Sequence, residues 1–210
     1  MANAGSPDPA EDRLVHRLVF FTDAVFAIVL TILVLELHPP MTAAEATFGR
    51  FRETLPHLFA YALSFGIVGV YWVAHLNVTR RLAHFDWRVT VTNLVFLGLL
   101  SLLPYATAWL GADISGATAW SIYSLTLILI SAANMALILA VLRDGGRLVG
   151  GVEPGERRLR LLRSGSPGVA FLVGLACAQA GWTTGAQACG LLIPVIIAGV
   201  SRLARVTPGA

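Results

Sequence analysis

Lysine is absent from this chain of 210 residues, and all fifteen basic residues are arginine. Charge of either sign is scarce, at 13% against about 25% for an ordinary soluble domain. A nucleic-acid module needs a basic face on a soluble surface, and these arginines instead fall between apolar blocks. Only two cysteines occur, Cys177 and Cys189, both inside apolar segments and far from CxxC spacing. They read as small buried hydrophobes rather than a zinc site or a redox pair. Neither GxGxxG nor GxxxxGK[ST] appears, so no phosphate-cradling loop is expected.

What the chain has is apolar residue, 56% of it, with a mean hydropathy of +0.73. Disorder requires low hydrophobicity and is excluded for the bulk of the chain. Length alone would allow one or two soluble domains. The apolar residues come in long blocks, however, and these predict an all-α integral membrane protein built as one bundle.

A helix crossing hydrocarbon needs about 20 mostly apolar residues. Six spans are expected, at roughly 18–37, 57–76, 89–110, 117–142, 168–182 and 186–203, with a tight turn over Thr183 to Gly185. One long broken segment is the alternative for the last two. Residues 1–16 and 206–210 read as tails, leaving 17–205 as the transmembrane unit. The stretch from Asp144 through Gly155 reads as a loop. No length remains for an ATPase or a large catalytic module.

The arginines report orientation. Arg13 and Arg17 precede the first span, and Arg80, Arg81 and Arg88 separate the second from the third. Arg143, Arg147, Arg157, Arg158, Arg160 and Arg163 separate the fourth from the fifth, and Arg202 and Arg205 follow the sixth. Only Arg50 and Arg52 fall on the other side. The positive-inside rule therefore predicts a multi-pass protein of the cell's inner membrane with both termini cytoplasmic. A signal peptide is the competing account of the first block. Asp8, Glu11 and Asp12 in the flank, the block's length and the spans that follow all argue against it.

Polar residues inside a bilayer are expensive and mark function; a carboxylate at mid-membrane costs about 2.5–3.5 kcal/mol. Asp23 lies a turn inside the first span, near the cytoplasmic interface. His75, Trp72 and Asn93 fall at the same depth on the second and third. They read as a hydrogen-bonded cluster joining three helices, with an interfacial aromatic belt as the bland alternative. Arg17 lies at that level too. It stands six residues from Asp23, about 240° around a helix, so any pairing must run between helices or between subunits.

On the first helix, Ile28, Ile32 and Leu35 recur at i, i+4 and i+7, with Thr31 beside them and Phe21 continuing the stripe toward the cytoplasm. Asp23 is about 140° away from it. Spacing alone favours simple packing for such a stripe, and a helix–helix or back-bonded hydroxyl for Thr31. Glu36 stands at the outer end, before Pro39 and Pro40 stop the helix. It reads equally as a solvated carboxylate or, repeated by symmetry, as a cation-attracting ring at a pore mouth.

Arg17-Leu-Val-Phe-Phe21-Thr22-Asp23 fits the pattern RxxxF[S/T]D. With the apolar run from Ala24 to Thr31 it resembles the opening helix of the transmembrane-protein-175 type potassium channels. Tyr61, Ser64-Phe65, Tyr71-Trp72 and His75 are similar to that family's second helix. Asn93 and Leu103-Pro104-Tyr105-Ala106-Thr107 are similar to its third. The resemblance covers the first 110 residues or so; beyond them only hydropathy and span count agree. Thr22 stands where serine is usual, and Ala24 where glycine is common.

The resemblance implies a homotetramer whose first helices line a central pore for potassium, without a TVGYG-like filter and without a cofactor. By position from Asp23, it assigns the apolar constriction to Ile28, Ile32 and Leu35 and a share of potassium preference to Thr31. This turns the stripe from packing to lining. Arg17, Phe21, Thr22, Asp23, Trp72, His75 and Asn93 then form a motif network that holds the helix outside the ion path. An apolar ring gates by size and dewetting and discriminates modestly. The competing function is a small secondary transporter or proton pathway using Asp23 and His75. It is disfavoured by the near absence of ionisable groups in the later spans and of internal repeats. A membrane-embedded enzyme lacks convergent acid, base and nucleophile. No span carries spaced arginines of the voltage-sensing kind.

Overall fold

The computed structural model describes residues 9–37, 48–79, 82, 84–152 and 154–189. Among these the regular structure is helical: α1 (Pro9–Ile32), α2 (Phe48–Thr79), α3 (Trp87–Leu100), α4 (Leu103–Ala112), α5 (Ala117–Val141) and α6 (Pro154–Gln179). The last turn of α1 tightens into a 3-10 helix, Leu33–Glu36, and a second 3-10 stretch, Arg143–Val149, follows α5. Five stretches are long and apolar enough to cross a membrane: Pro9–Glu36, Phe51–Thr79, Trp87–Ala112, Ala117–Val141 and Gly155–Gln179. Most of the sixth expected span, 186–203, lies outside the described residues, as do Pro39 and Pro40; residues 183–189 are helical.

Three boundaries differ from the sequence reading, each for a backbone reason. The third span is two helices, because Pro104 sits in the first turn of α4, where its missing N–H is an orphan anyway. The chain bends at Ser101 and Leu102, whose N–H groups bond back to Leu97 and Leu99 carbonyls. The fifth span's helix starts at Pro154, well before Gly168, so the arginines from 157 onward, expected between the fourth and fifth spans, lie on the helix itself. Arg160 and Glu156, four residues apart, pair at 2.8 Å on that early stretch. The turn after α6 falls at Ala180 and Gly181 instead of Thr183 to Gly185. Gly181 takes φ +76°, which favours glycine, and Trp182 N–H returns to the Cys177 carbonyl at 2.9 Å.

The start of α3 is set by Asp86, whose Oδ1 accepts from the N–H groups of Arg88 at 2.7 Å and Val89 at 3.1 Å. The core is centred on α5, which packs along α3, α4 and α6. Trp120, Tyr123, Leu127, Ile130 and Leu137 are closed off there against Phe171 of α6. A second aromatic layer, Phe26, Tyr71 and Phe96, fills the space between α1, α2 and α3.

The first helix behaves differently from the rest. It is the most apolar of the five candidate spans, yet only 22% of its membrane window is buried, against 50% for Trp87–Ala112 and for Ala117–Val141. It touches its own bundle through a narrow stripe of Val15, Thr22, Phe26, Val29 and Leu33. The remaining apolar surface must be covered by lipid or by other copies of the chain.

Candidate functional site

At 100° per residue, the buried stripe of α1 lies about 120° from the line through Phe21, Ile28, Ile32 and Leu35. Those four point out of the bundle. Ile28 is 55% exposed, Ile32 40% and Leu35 68%. Packing within the subunit, which spacing alone favoured, is therefore not what this stripe does. Thr31 is exposed on the flank of the same face, and its hydroxyl donates to the Ile28 carbonyl at 2.8 Å. Glu36 sits half-buried in the 3-10 turn at the end of this face.

Asp23 projects from the opposite flank, and its partner is Trp72, whose Nε1 donates to Oδ1 at 3.1 Å. Arg17 is exposed on the stripe side and makes no polar contact with Asp23. The helical arithmetic excluded that pair along one face, and α2 supplies an indole donor in its place. Between these two flanks lies a fully buried bond. Asn93 Nδ2 donates to Thr22 Oγ1 at 2.8 Å, and Thr22 Oγ1 donates to the Leu18 carbonyl at 2.8 Å. Thr22 thus links α1 to α3 while keeping its own helix satisfied. Asn93 Oδ1 is buried without a partner.

His75 joins the cluster through its ring rather than a hydrogen bond. It stacks on Phe96 at 6.1 Å with an interplanar angle of 6°, and tilts against Phe26 at 5.8 Å. No hydrogen bond connects His75 to Asp23. Trp72, His75 and Asn93 therefore converge on the N-terminal half of α1, Arg17 and Phe21 point away, and the two halves of the motif have different surroundings.

Sequence reasoning passed over a second polar layer. Ser64 Oγ lies 2.7 Å from Thr107 Oγ1 and 3.0 Å from the Tyr123 hydroxyl, joining α2, α4 and α5. Tyr71 and Ser131 hydroxyls meet at 2.5 Å between α2 and α5. Ser64, Tyr71 and Thr107 had been noted as motif positions, but their partners are 43 to 60 residues away and carry no local signal. Among the described residues no three His, Cys, Asp or Glu side chains gather as metal ligands.

At the N-terminal end of α1, Glu11 Oε1 accepts from the Phe85 N–H at 2.9 Å and lies 3.4 Å from His84 Nδ1. The first helix is thus tied to the α2–α3 connection as well as to the bundle's interior.

Among the described residues, five membrane-length helical stretches with an outward apolar first-helix face, steadied from behind by a polar cluster, define a multi-pass helical membrane protein. The family model described as endosomal/lysosomal potassium channel TMEM175 matches residues 17–104. A potassium channel of Streptomyces collinus is 32% identical over 185 residues, 84% of this chain and 88% of that protein. A potassium channel of Chryseobacterium sp. is 34% identical over 130 residues, which span 62% of this chain and 66% of that one. The chain belongs to the TMEM175 family. The mouse relative, named an endosomal/lysosomal proton channel TMEM175, is 28% identical over 92 residues, 43% of this chain and 18% of that protein. The fold is that of the crystal structure of a lysosomal potassium-selective channel TMEM175 homolog from Chamaesiphon minutus. The TM-score is 0.76 at 23% identity, covering 90% of this chain and 98% of that one.

Proposed function

We propose that this protein is a potassium-permeable, leak-type cation channel of the cell's inner membrane. In this reading four copies assemble with α1 at the centre, and the outward face of α1 lines the ion path. Ile28, Ile32 and Leu35 form its apolar constriction, and Glu36 stands at the non-cytoplasmic mouth. Both termini, and the arginines between the second and third and between the fourth and fifth spans, face the cytoplasm. The observation that carries this reading is the exposure of that face: Ile28, Ile32 and Leu35 are 40–68% exposed in the subunit while the stripe of α1 that meets the bundle is closed.

The physics of conduction follows from the side chains. Four isoleucines offer no oxygen to replace an ion's hydration shell, so the ring opens and closes by side-chain swing and by wetting. Selectivity is then modest and reflects the unequal cost of partly dehydrating potassium and sodium. The Thr31 hydroxyl, or its backbone carbonyl, supplies brief coordination beside the ring. Trp72 to Asp23 and Asn93 to Thr22 hold α1 at its working angle from behind, outside the ion path.

The test is potassium against sodium flux in proteoliposomes for the wild type, Ile28→Asn and Thr31→Ala. Ile28→Asn is expected to raise total flux by wetting the constriction, and Thr31→Ala to narrow the potassium preference. Unchanged flux and preference in both variants would sink the assignment. A second reading, proton conduction through Asp23 and His75, is favoured by the proton-channel name of the vertebrate relatives. It requires that Asp23→Asn and His75→Phe abolish proton uptake driven by a pH gradient.

A further inference from the structure

Cys177 and Cys189 read in the sequence as unrelated buried hydrophobes. The fold brings them together. Cys177 sits in the last turn of α6, and Cys189 on the helical segment 183–189 that returns after the turn at Gly181. Cys189 packs against α6 beside Gly174, one helical turn before Cys177. Both are free thiols, and both are half-buried.

The packing around them is built from small residues. Gly174, Cys177 and Ala178 share one face of α6, at i, i+3 and i+4. Ala186 and Cys189 share one face of the returning segment. A Cβ on Gly174 would lie 3.6 Å from the Cys189 Cβ and 3.9 Å from the Ala186 carbonyl oxygen. Ala178 is 0% and Ala186 1% exposed. Small side chains let two helix backbones approach closely, and close approach is what a disulfide demands, with Cα atoms within about 7 Å.

We propose that Cys177 and Cys189 are a redox-active pair that closes into an intramolecular disulfide, stapling the end of α6 to the helix that follows. The placement of the pair near a non-cytoplasmic, oxidising face rests on the topology given under the proposed function. Formation proceeds by exchange with a disulfide-bearing oxidant. One cysteine thiolate attacks the donor disulfide, forming a mixed disulfide and releasing the first donor thiolate. The second cysteine loses its proton and displaces the other donor thiolate. Two thiols are oxidised, one donor disulfide is reduced, and two protons pass to solvent. Disulfides of this kind persist where the compartment is oxidising.

The experiment uses the full chain purified in detergent, treated with diamide or with dithiothreitol, then denatured and alkylated with a maleimide mass tag. After diamide both thiols should disappear together, with the protein lighter by two hydrogen atoms and no dimer on a non-reducing gel. Cys177→Ser and Cys189→Ser should each keep the remaining thiol. Two alkylatable thiols after diamide, or loss of thiol only through intermolecular dimers, would overturn the pairing. In vesicles, membrane-impermeant oxidised glutathione should close the pair from the non-cytoplasmic side; closure from the cytoplasmic side alone would overturn the placement. Potassium flux from the same vesicles is a separate readout, so a staple without flux refutes the channel reading and leaves the pair standing.

Discussion

Replacing Thr22 with valine tests the bond that ties α1 to α3. Thr22 is 1% exposed and Asn93 2%, and the Nδ2 to Oγ1 distance is 2.8 Å. Thr22→Val keeps the shape of the side chain but strands Asn93, whose Oδ1 already lacks a partner. A stranded buried donor costs about 1–3 kcal/mol. Asn93→Leu acts differently. It removes the unpaired oxygen along with the donor, and the Thr22 hydroxyl keeps the Leu18 carbonyl at 2.8 Å. The single change should therefore cost less than Thr22→Val. In the double variant both partners are apolar and keep the branching of the originals, which is close to neutral in general, so its stability should return to within about 1 kcal/mol of the wild type. The implied coupling is of the order measured for interhelical bonds in membranes, about 0.6 and at most about 1.7 kcal/mol. Unfolding in mixed micelles, followed by helical circular dichroism, gives the four numbers of the cycle. A harmless Thr22→Val, or a double variant worse than the sum of its singles, would refute the reasoning.

Two further predictions rest on neighbouring geometry. Gly111→Ala would set its Cβ 2.7 Å from His57 Cδ2 and 3.1 Å from His57 Cα, so α4 must move away from α2. A loss of about 1–3 kcal/mol is expected in thermal melts of the purified protein. Asp23→Ala removes the acceptor of Trp72 Nε1. It should lower the yield of assembled protein on size-exclusion chromatography more than it changes the potassium-to-sodium flux ratio, and normal assembly with altered selectivity would contradict the architectural role.

The parts legible in the sequence are those that hydropathy reports. A span beginning at Ala117 shows in the sequence because Gly116 and the polar turn before it interrupt an otherwise apolar run. Helix continuity is less legible, since hydropathy does not sense backbone hydrogen bonds. The 89–110 block carries no charge and is apolar enough to span, yet Pro104 starts a new helix within it. Charge likewise hid the start of α6, because a helix can run past the hydrocarbon into water while a hydropathy window stops at the arginines. The motif located Asp23, Trp72 and Asn93 at one depth, but depth does not choose partners. Helical phase does, and it turns Arg17 to the Ile28 side and Asp23 toward Trp72. The Ser64, Thr107 and Tyr123 layer was hidden because single hydroxyls are common in membrane helices and their meeting depends on how three helices pack.

The central claim is that ions pass along the outward face of α1. The most direct measurement introduces Ile28→Cys, and separately Leu125→Cys on α5 (51% exposed), into a background lacking Cys177 and Cys189. Potassium flux is then followed before and after a water-soluble methanethiosulfonate reagent. Modification should block flux through Ile28→Cys and leave Leu125→Cys unaffected. An Ile28→Cys protein that conducts potassium but neither reacts nor changes its flux would place that face against lipid and contradict the account.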